Sequence, residues 1–443
     1  YRDFEKETLK HNLLLPPFPA SREICTVGGM AANNSGGEKT LAYGKTENYV
    51  EELSVVLSDG NEYNFGQLGP EELKEKLSQN NFEGRLYKQI FGLIEKNYAL
   101  IQKAKPNVSK NSSGYALWDV YDKQKGTFNL TKLLTGSQGT LGIITKIKFK
   151  LITPKSHSAL LVIFLRRVDK LAQIINTTLK FKPESFESYD DYTLKLAMRL
   201  MPQMAHKLKT GIIKLALSFI PETLMALTGG MPKMVLLAEF TADTEEGALA
   251  KAKQAQNALR PLSLNTRITK NEEEAKKYWT IRRESFNLLR QHVLGLRTAP
   301  FIDDLVVRPE FLPEFLPRLY KILGEYKIIS TVSGHVGNGN FHIIPLMDMS
   351  KSESKQIIKE LGARVYDLVL EYGGSLSGEH NDGLIRGPYL KKMYGAKVYG
   401  LFEETKKIFD PHGIFNSLPG PSRVPGRAPH APARHGHHVS KFL

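Results

Sequence analysis

Cysteine is nearly missing from this chain of 443 residues: Cys25 stands alone. One thiol excludes a disulfide within the chain and any iron–sulfur cluster held by the chain's own cysteines. Such cysteine usage fits a reducing cytoplasm. Long apolar runs are missing as well. No stretch reaches the roughly 18 consecutive apolar residues of a membrane span, and Leu160–Leu165 ends at once in Arg166-Arg167, so it reads as a buried strand. The first residues do not read as a signal peptide. They form an expected helix from Asp3 to His11 that leads into the extended Leu15-Pro-Pro-Phe-Pro19. No Gly-x-Gly-x-x-Gly follows a strand, which leaves a nicotinamide-binding Rossmann site unsupported.

The formal net charge of +15 raises the question of nucleic acid. Four of those charges, Arg423, Arg427, Arg434 and Lys441, sit in an acid-free tail, and elsewhere lysines alternate with acids, as in Glu71-Glu-Leu-Lys-Glu-Lys76 and Asn271-Glu-Glu-Glu-Ala-Lys-Lys277. That is the pattern of solvated helix faces, and no nucleic-acid motif stands beside it. A soluble basic surface is the preferred reading, with attraction to anionic acids or to an anionic membrane rim as the other use of such charge. With 41% hydrophobic and 24% charged residues, the chain has the composition of a globular protein large enough for two domains. Residues 417–443, rich in Pro, Arg, His and Ala, lack apolar periodicity and are expected to be disordered.

What the chain does have is a concentration of metal-ligand and base side chains in glycine turns. Ser-Gly-His335-Val-Gly-Asn-Gly-Asn-Phe-His342 is followed by Ser-Gly-Glu379-His380-Asn-Asp-Gly. His335 and His342 converge only if the chain doubles back, and Asn338-Gly339 supplies that reversal. Two imidazoles and the Glu379 carboxylate make a three-ligand site with open positions, the form of a catalytic divalent-metal centre. His380 is then free to take a proton. A lone pair of histidines more often hydrogen-bonds within tight turns; the adjoining Glu-His shifts the balance toward metal.

Two further glycine segments stand upstream. Thr26-Val-Gly28-Gly29-Met-Ala-Ala-Asn-Asn34-Ser-Gly36-Gly37, with Tyr43-Gly44 behind it, and Thr135-Gly136-Ser-Gln-Gly139-Thr140-Leu-Gly142-Ile143-Ile144-Thr145 each read as turns in which bare backbone approaches a ligand, or as ordinary tight turns. Val55–Leu57 and Gly142–Phe149 read as strands, the first ending in a turn at Ser58-Asp-Gly-Asn61. Residues 157–260 alternate strand and helix: strands Ser158–Leu165, Ser185–Tyr189 and Met234–Thr241, helices Val168–Lys180, Tyr192–Met201 and Thr244–Leu259. This fits an α+β unit with helices on one side of its sheet. Residues 202–232, with Pro202, Pro221, Gly229-Gly230 and Pro232, read as a helical excursion or lid.

Taken together, Gly-His-x-Gly-x-Gly-Asn-x-His, Gly-Glu-His, the two glycine segments and Phe409-Asp-Pro-His-Gly413-Ile-Phe-Asn416 resemble the FAD-linked D-2-hydroxyacid dehydrogenases and oxidases: D-lactate dehydrogenase, the glycolate oxidase flavin subunit and D-2-hydroxyglutarate dehydrogenase. These motifs stand in the right order, and the resemblance extends over nearly all of residues 1–416. The resemblance implies an α+β fold, with an incomplete vanillyl-alcohol-oxidase-type (PCMH-type) FAD-binding domain over residues 1–153 and a ferredoxin-like substrate or cap domain over residues 154–416. It implies flavin contacts at Thr26, Gly28, Gly29, Asn34, Gly36, Gly37, Tyr43, Gly44, Gly136, Gly139, Thr140, Gly142, Ile143, Ile144 and Asn416. It also implies a divalent metal (zinc, manganese or iron) on His335, His342 and Glu379, His380 as base, and Arg282 of Trp279-Thr-Ile-Arg282 gripping the substrate carboxylate, a task suited to a guanidinium fork. The acidic pair Asp303-Asp304 reads as structural.

The family's glycine-rich pyrophosphate loop lies upstream of the point where this sequence starts, so the chain is expected to be a fragment or a truncated product whose hold on FAD alone is in question. Asn338 replaces a common Asp, removing one negative charge, and Asn381-Asp382-Gly383 replaces the commoner Gly-x-Gly, a variant resembling lactate-type enzymes with iron–sulfur partners. D-lactate is thus the leading substrate, before glycolate and D-2-hydroxyglutarate, and the acceptor of electrons is a quinone, an electron-transfer flavoprotein, an iron–sulfur protein or a cytochrome. The location implied is cytoplasmic, at most peripheral at the inner face of the membrane. Oligomeric state leaves no mark in the sequence. The rival is a catalytically incomplete flavin-fold subunit in a heteromeric oxidase; transfer of the alkyl-glycerone-phosphate synthase kind is disfavoured for want of an apolar entrance.

Overall fold

The computed structural model describes residues 1–199, 205, 211, 217, 219–220, 222, 230–292, 295–326 and 328–416, with the backbone alone at 284–292. Most of the expected lid at 202–232 and all of the tail at 417–443 lie outside the described residues.

The strand Val50–Val56 pairs antiparallel with Glu62–Phe65 and with Ile143–Phe149. The first pairing is a hairpin closed at Ser58–Asn61, where Gly60 takes φ +83°. The helix Phe82–Lys96 buries Leu86, Tyr87, Ile90, Leu93 and Ile94, a spacing of three and four that turns one stripe to the core. The same core receives Leu390, Val398, Phe402 and Phe409 of the helix Leu390–Phe409, from the far end of the chain.

The second unit is an antiparallel sheet in the order Asn265–Ile268, His157–Leu165, Met234–Ala242, Ser185–Asp190, Ile329–His335, Asn340–Met347, Arg297–Thr298, with Leu305–Val306 also on Asn340–Met347. Leu160–Leu165 is apolar throughout because both faces are covered. Leu161, Ile163 and Leu165 meet the helices Leu171–Leu179 and Glu245–Leu259, whereas Leu160, Val162 and Phe164 share a core with Tyr278, Trp279 and Ile281. The expectation of helices on one side is therefore corrected: Asp191–Arg199 and Glu272–His292 pack on the second face. Helix and strand otherwise alternate as read from periodicity.

Candidate active site

His335 ends the strand Ile329–His335, and Gly339 (φ +65°) reverses the chain into Asn340–Met347. A side chain at Gly339 would place its Cβ 1.8 Å from the Val307 carbonyl oxygen, so this turn requires glycine. The register puts His335 opposite Asn340 and His342 opposite Ser333. With a period of two, Ser333 and His335 share a face, and His342 joins them there. The two rings meet edge to face at 5.2 Å between centroids.

Glu379 is the point on which the imidazoles converge. Its Oε1 lies 3.1 Å from His335 Nε2, 3.5 Å from His342 Nε2 and 4.0 Å from His380 Nε2. Each ring has a carboxylate behind it: Glu187 Oε1 at 2.7 Å from His335 Nδ1, Asp303 Oδ1 at 3.0 Å from His342 Nδ1, and Asp303 Oδ2 at 3.2 Å from His380 Nδ1. A carboxylate at the outer nitrogen holds the ring proton there and turns the Nε2 lone pair inward. Three Nε2 lone pairs and Oε1 then face one another as acceptors, an arrangement completed by a cation or by extra protons.

Burial by itself would lower the His380 imidazole, but Asp304 and Asp303 override it and push it up to about 10. His335 is also raised, burial again being outweighed by Glu187. Glu379 is held well below the usual carboxylate range, because Lys110 and His335 overcome the opposing effect of burial. The fully buried Lys110 places Nζ 3.1 Å from Glu379 Oε2, so one carboxylate oxygen is engaged and the other faces the rings.

Asp304, His342, Glu379 and His380 offer ligand atoms within 4.8 Å of one another. Of these, Asp304 is otherwise occupied: Oδ2 accepts from Ser377 Oγ and from the Glu379 and His380 backbone N–H groups, and Oδ1 from Asn340 Nδ2. A carboxylate offers about four lone-pair sites, so among these four it is His342, Glu379 and His380 that keep a ligand atom for a cation, while His335 stands outside the group with Nε2 3.1 Å from Glu379 Oε1. Arg282 donates through Nε to Glu187 Oε2 at 3.1 Å, which ties it to the His335 side of the cluster.

The first glycine segment is a helix, not a turn: Val27–Asn33, with Thr26 Oγ1 accepting from Gly29 N at 3.0 Å. Its end meets the Glu-His turn directly, since Asn33 Nδ2 donates to the Glu379 carbonyl and Asn381 Nδ2 to Asn33 Oδ1. A Cβ on Gly36 would approach Glu379 Oε2 to 3.2 Å, and one on Gly37 the Phe18 carbonyl oxygen to 2.3 Å. The second segment lies on the first: Gly136 N donates to Ala31 O and Gln138 N to Ala32 O, while Gly136 (φ +86°) faces Asn34. Gly139 follows at φ +68°, the Thr140 hydroxyl bonds with Tyr115, Gly142 packs on Val55, and Ile143 and Ile144 open a strand. Asn416 Nδ2 reaches Gln138 O at 3.2 Å. Tyr43 and Gly44 end a separate short helix, where the Tyr43 carbonyl takes the Tyr49 hydroxyl. A cavity of about 160 Å³ is lined mostly by residues 105–119, together with Asn34, Thr135, Gly136 and Asn381. Thr135 Oγ1 and Asn381 Oδ1 are buried there without a hydrogen-bond partner among the described residues, which fits a polar group of a bound cofactor.

Sequence reasoning missed Lys110 and Glu187 and underestimated Asp303 and Asp304. The signal for Asp303-Asp304 was present, an acidic pair opening a buried strand. Glu187 stands in Ser185–Asp190, whose six residues are all buried, and only its distant partner reveals its use.

Residues 154–419 match the C-terminal domain of FAD linked oxidases, and residues 1–66 match an FAD binding domain. The chain belongs to the FAD-linked oxidase family. It is 26% identical over 406 residues to D-2-hydroxyglutarate dehydrogenase of Pseudomonas putida, covering 92% of this chain and 39% of that one. With D-lactate dehydrogenase of Anaerostipes hadrus it shares 26% over 419 residues, 94% of this chain and 72% of the relative. Among solved structures, 4-ethylphenol oxidase from Gulosibacter chungangensis superposes with a TM-score of 0.59 at 14% identity, over 96% of this chain and 75% of that one. That likeness shows the fold, the PCMH-type architecture expected from the sequence. This FAD-linked oxidase chain thus spans well under half the length of the first of these relatives.

Proposed function

We propose that the chain carries the oxidation of a D-2-hydroxy acid to the 2-oxo acid, with FAD as hydride acceptor and a divalent metal (zinc, manganese or iron) on His335, His342 and Glu379. The observation that carries this reading is the convergence of three carboxylate-backed imidazoles on Glu379 Oε1, beside the junction of the two glycine segments. Arg282 holds the substrate carboxylate from its place next to Glu187. His380 accepts the hydroxyl proton at Nε2 as the C2–H bond breaks, its electron pair leaving as hydride, and C2=O forms. When bound, the flavin takes that hydride and the cation polarises the hydroxyl oxygen, its charge also opposing the protonation of His380 that Asp303 and Asp304 favour.

D-lactate remains the leading substrate, with glycolate and D-2-hydroxyglutarate behind it; relatives named for D-lactate and for D-2-hydroxyglutarate stand at equal identity. Electrons pass from the reduced flavin to a quinone, an electron-transfer flavoprotein or an iron–sulfur protein, since the chain's single cysteine cannot hold a cluster. No helix among the described residues is long and apolar enough to cross a membrane.

The test is the visible spectrum of the FAD-loaded protein before and after anaerobic D-lactate, glycolate or D-2-hydroxyglutarate, with L-lactate as control. Bleaching by one D-acid and not by L-lactate is expected. A retained flavin that none of the D-acids bleaches would overturn the reading in favour of a catalytically incomplete subunit of a heteromeric oxidase.

A further inference from the structure

Asp303 is buried, and each of its carboxylate oxygens faces a different imidazole: Oδ1 lies 3.0 Å from His342 Nδ1 and Oδ2 3.2 Å from His380 Nδ1. The two rings stack at 5.1 Å between centroids and 21° between planes, the arrangement one planar carboxylate imposes on two partners. Oδ1 also accepts the Asp304 backbone N–H at 2.7 Å, so the group cannot turn without losing a third bond. Arg386 Nη2 fixes the segment further through the Asp303 carbonyl at 2.8 Å.

We propose that Asp303 is a positioning residue shared by a metal ligand and the base: one carboxylate holds His342 and His380 with their protons on Nδ1, leaving both Nε2 lone pairs directed at Glu379. The proposal rests on the reading above, in which His342 ligates a divalent cation and His380 accepts the hydroxyl proton. It makes binding and proton transfer depend on a single side chain, and it distinguishes the carboxylate from its own amide. An amide of the same shape has one acceptor oxygen. The Asp304 N–H and the His342 Nδ1–H both require that oxygen at the Oδ1 position, so the NH₂ group of an asparagine faces His380 Nδ1. That nitrogen then accepts, its proton moves to Nε2, and the ring can no longer take a proton from substrate there.

The experiment measures two quantities on the FAD-loaded protein: Co²⁺ affinity by competition with a chelator, and the anaerobic rate of flavin bleaching by the D-2-hydroxy acid that the wild type oxidises. Asp303→Asn is expected to keep Co²⁺ affinity near that of wild type while bleaching slows about 10²–10⁴-fold, the usual contribution of a positioned base. Asp303→Ala is expected to lose both, with affinity falling about 10–100-fold, as when a ligand's outer partner is removed. Equal loss of Co²⁺ in the two variants, or wild-type bleaching in Asp303→Asn, overturns the proposal, and the asparagine variant decides alone if the alanine variant fails to fold. Wild-type protein that takes up no Co²⁺ overturns the metal reading itself, and the proposal with it.

Discussion

Lys110 has no solvent exposure, and its ammonium group lies 3.1 Å from Glu379 Oε2 and 3.4 Å from Asn340 Oδ1. A buried pair of this kind is stable only while both charges are present, because removing one leaves the other desolvated and unpaired. Lys110→Met is therefore expected to lower the unfolding free energy of the chelator-treated protein by about 3–5 kcal/mol, read from denaturant titration. Excess Zn²⁺ should then stabilise the variant more than the wild type, since a cation at Glu379 supplies the missing charge; equal stabilisation would count against Glu379 as a ligand. Gly36 makes a complementary case. An alanine there would bring its Cβ to 2.8 Å from Thr40 Oγ1 and 3.2 Å from Glu379 Oε2. Gly36→Ala should cost about 1–3 kcal/mol by overpacking and weaken Co²⁺ binding through Glu379, both checked on the same sample by thermal unfolding and chelator competition.

The strand Met234–Ala242 carries Glu239 opposite Ser185, near the carboxylates of Glu184 and Glu38 and the cations Lys39 and Arg283. Burial, reinforced by Glu184 and Glu38, raises Glu239 from 4.5 to about 7. A carboxyl raised in the folded state favours folding while it is neutral, so its contribution is fully present below pH 4.5 and is lost as pH climbs through about 7. Between pH 5 and 8 the wild type should lose about 2 kcal/mol that Glu239→Gln does not, allowing for the partial exposure of the side chain. Parallel denaturation curves for the two proteins would show the assignment to be mistaken.

Much at the level of elements was legible because its cause is local. The turn at Gly339 and the buried strand at Leu160–Leu165 follow from apolar pattern and backbone freedom within a few residues, whereas the covering of that strand's second face by Tyr278, Trp279 and Ile281 was not legible. Gly28-Gly29 misled for a physical reason: each glycine disfavours a helix by about 1 kcal/mol relative to alanine, and it is the Thr26 cap together with the burial of Met30 and Ala31 that overrides this. Lys110 and Glu187 could not be read at all, since their partners lie 269 and 148 residues away and no short-range rule connects them.

Over the whole molecule, the sheet built from residues 50–149 and the helix Leu390–Phe409 are interdependent. The helix Leu390–Phe409 buries Leu390, Val398, Phe402 and Phe409 in the core of the first sheet, with Phe402 edge-on to Tyr115 at 6.0 Å. The buried Lys406 joins Asp410 at 2.6 Å and the Phe415 carbonyl at 3.0 Å, and also donates to the Thr140 carbonyl of the second glycine segment. A chain stopped before Leu390 should expose this core, bind a hydrophobic dye and be cleaved by protease within residues 50–141; protection equal to that of the full chain would refute the dependence.

That returning helix also sets a schedule for synthesis. At about 5–20 residues per second, a ribosome needs on the order of ten seconds or more to go from Leu141 to Leu390. For that interval Tyr115 has emerged without Phe402, the ring that packs edge-on against it. The nascent chain thus presents the core of the sheet Val50–Val56, Glu62–Phe65 and Ile143–Phe149 unfinished until the helix Leu390–Phe409 arrives, with its apolar surface open to water meanwhile.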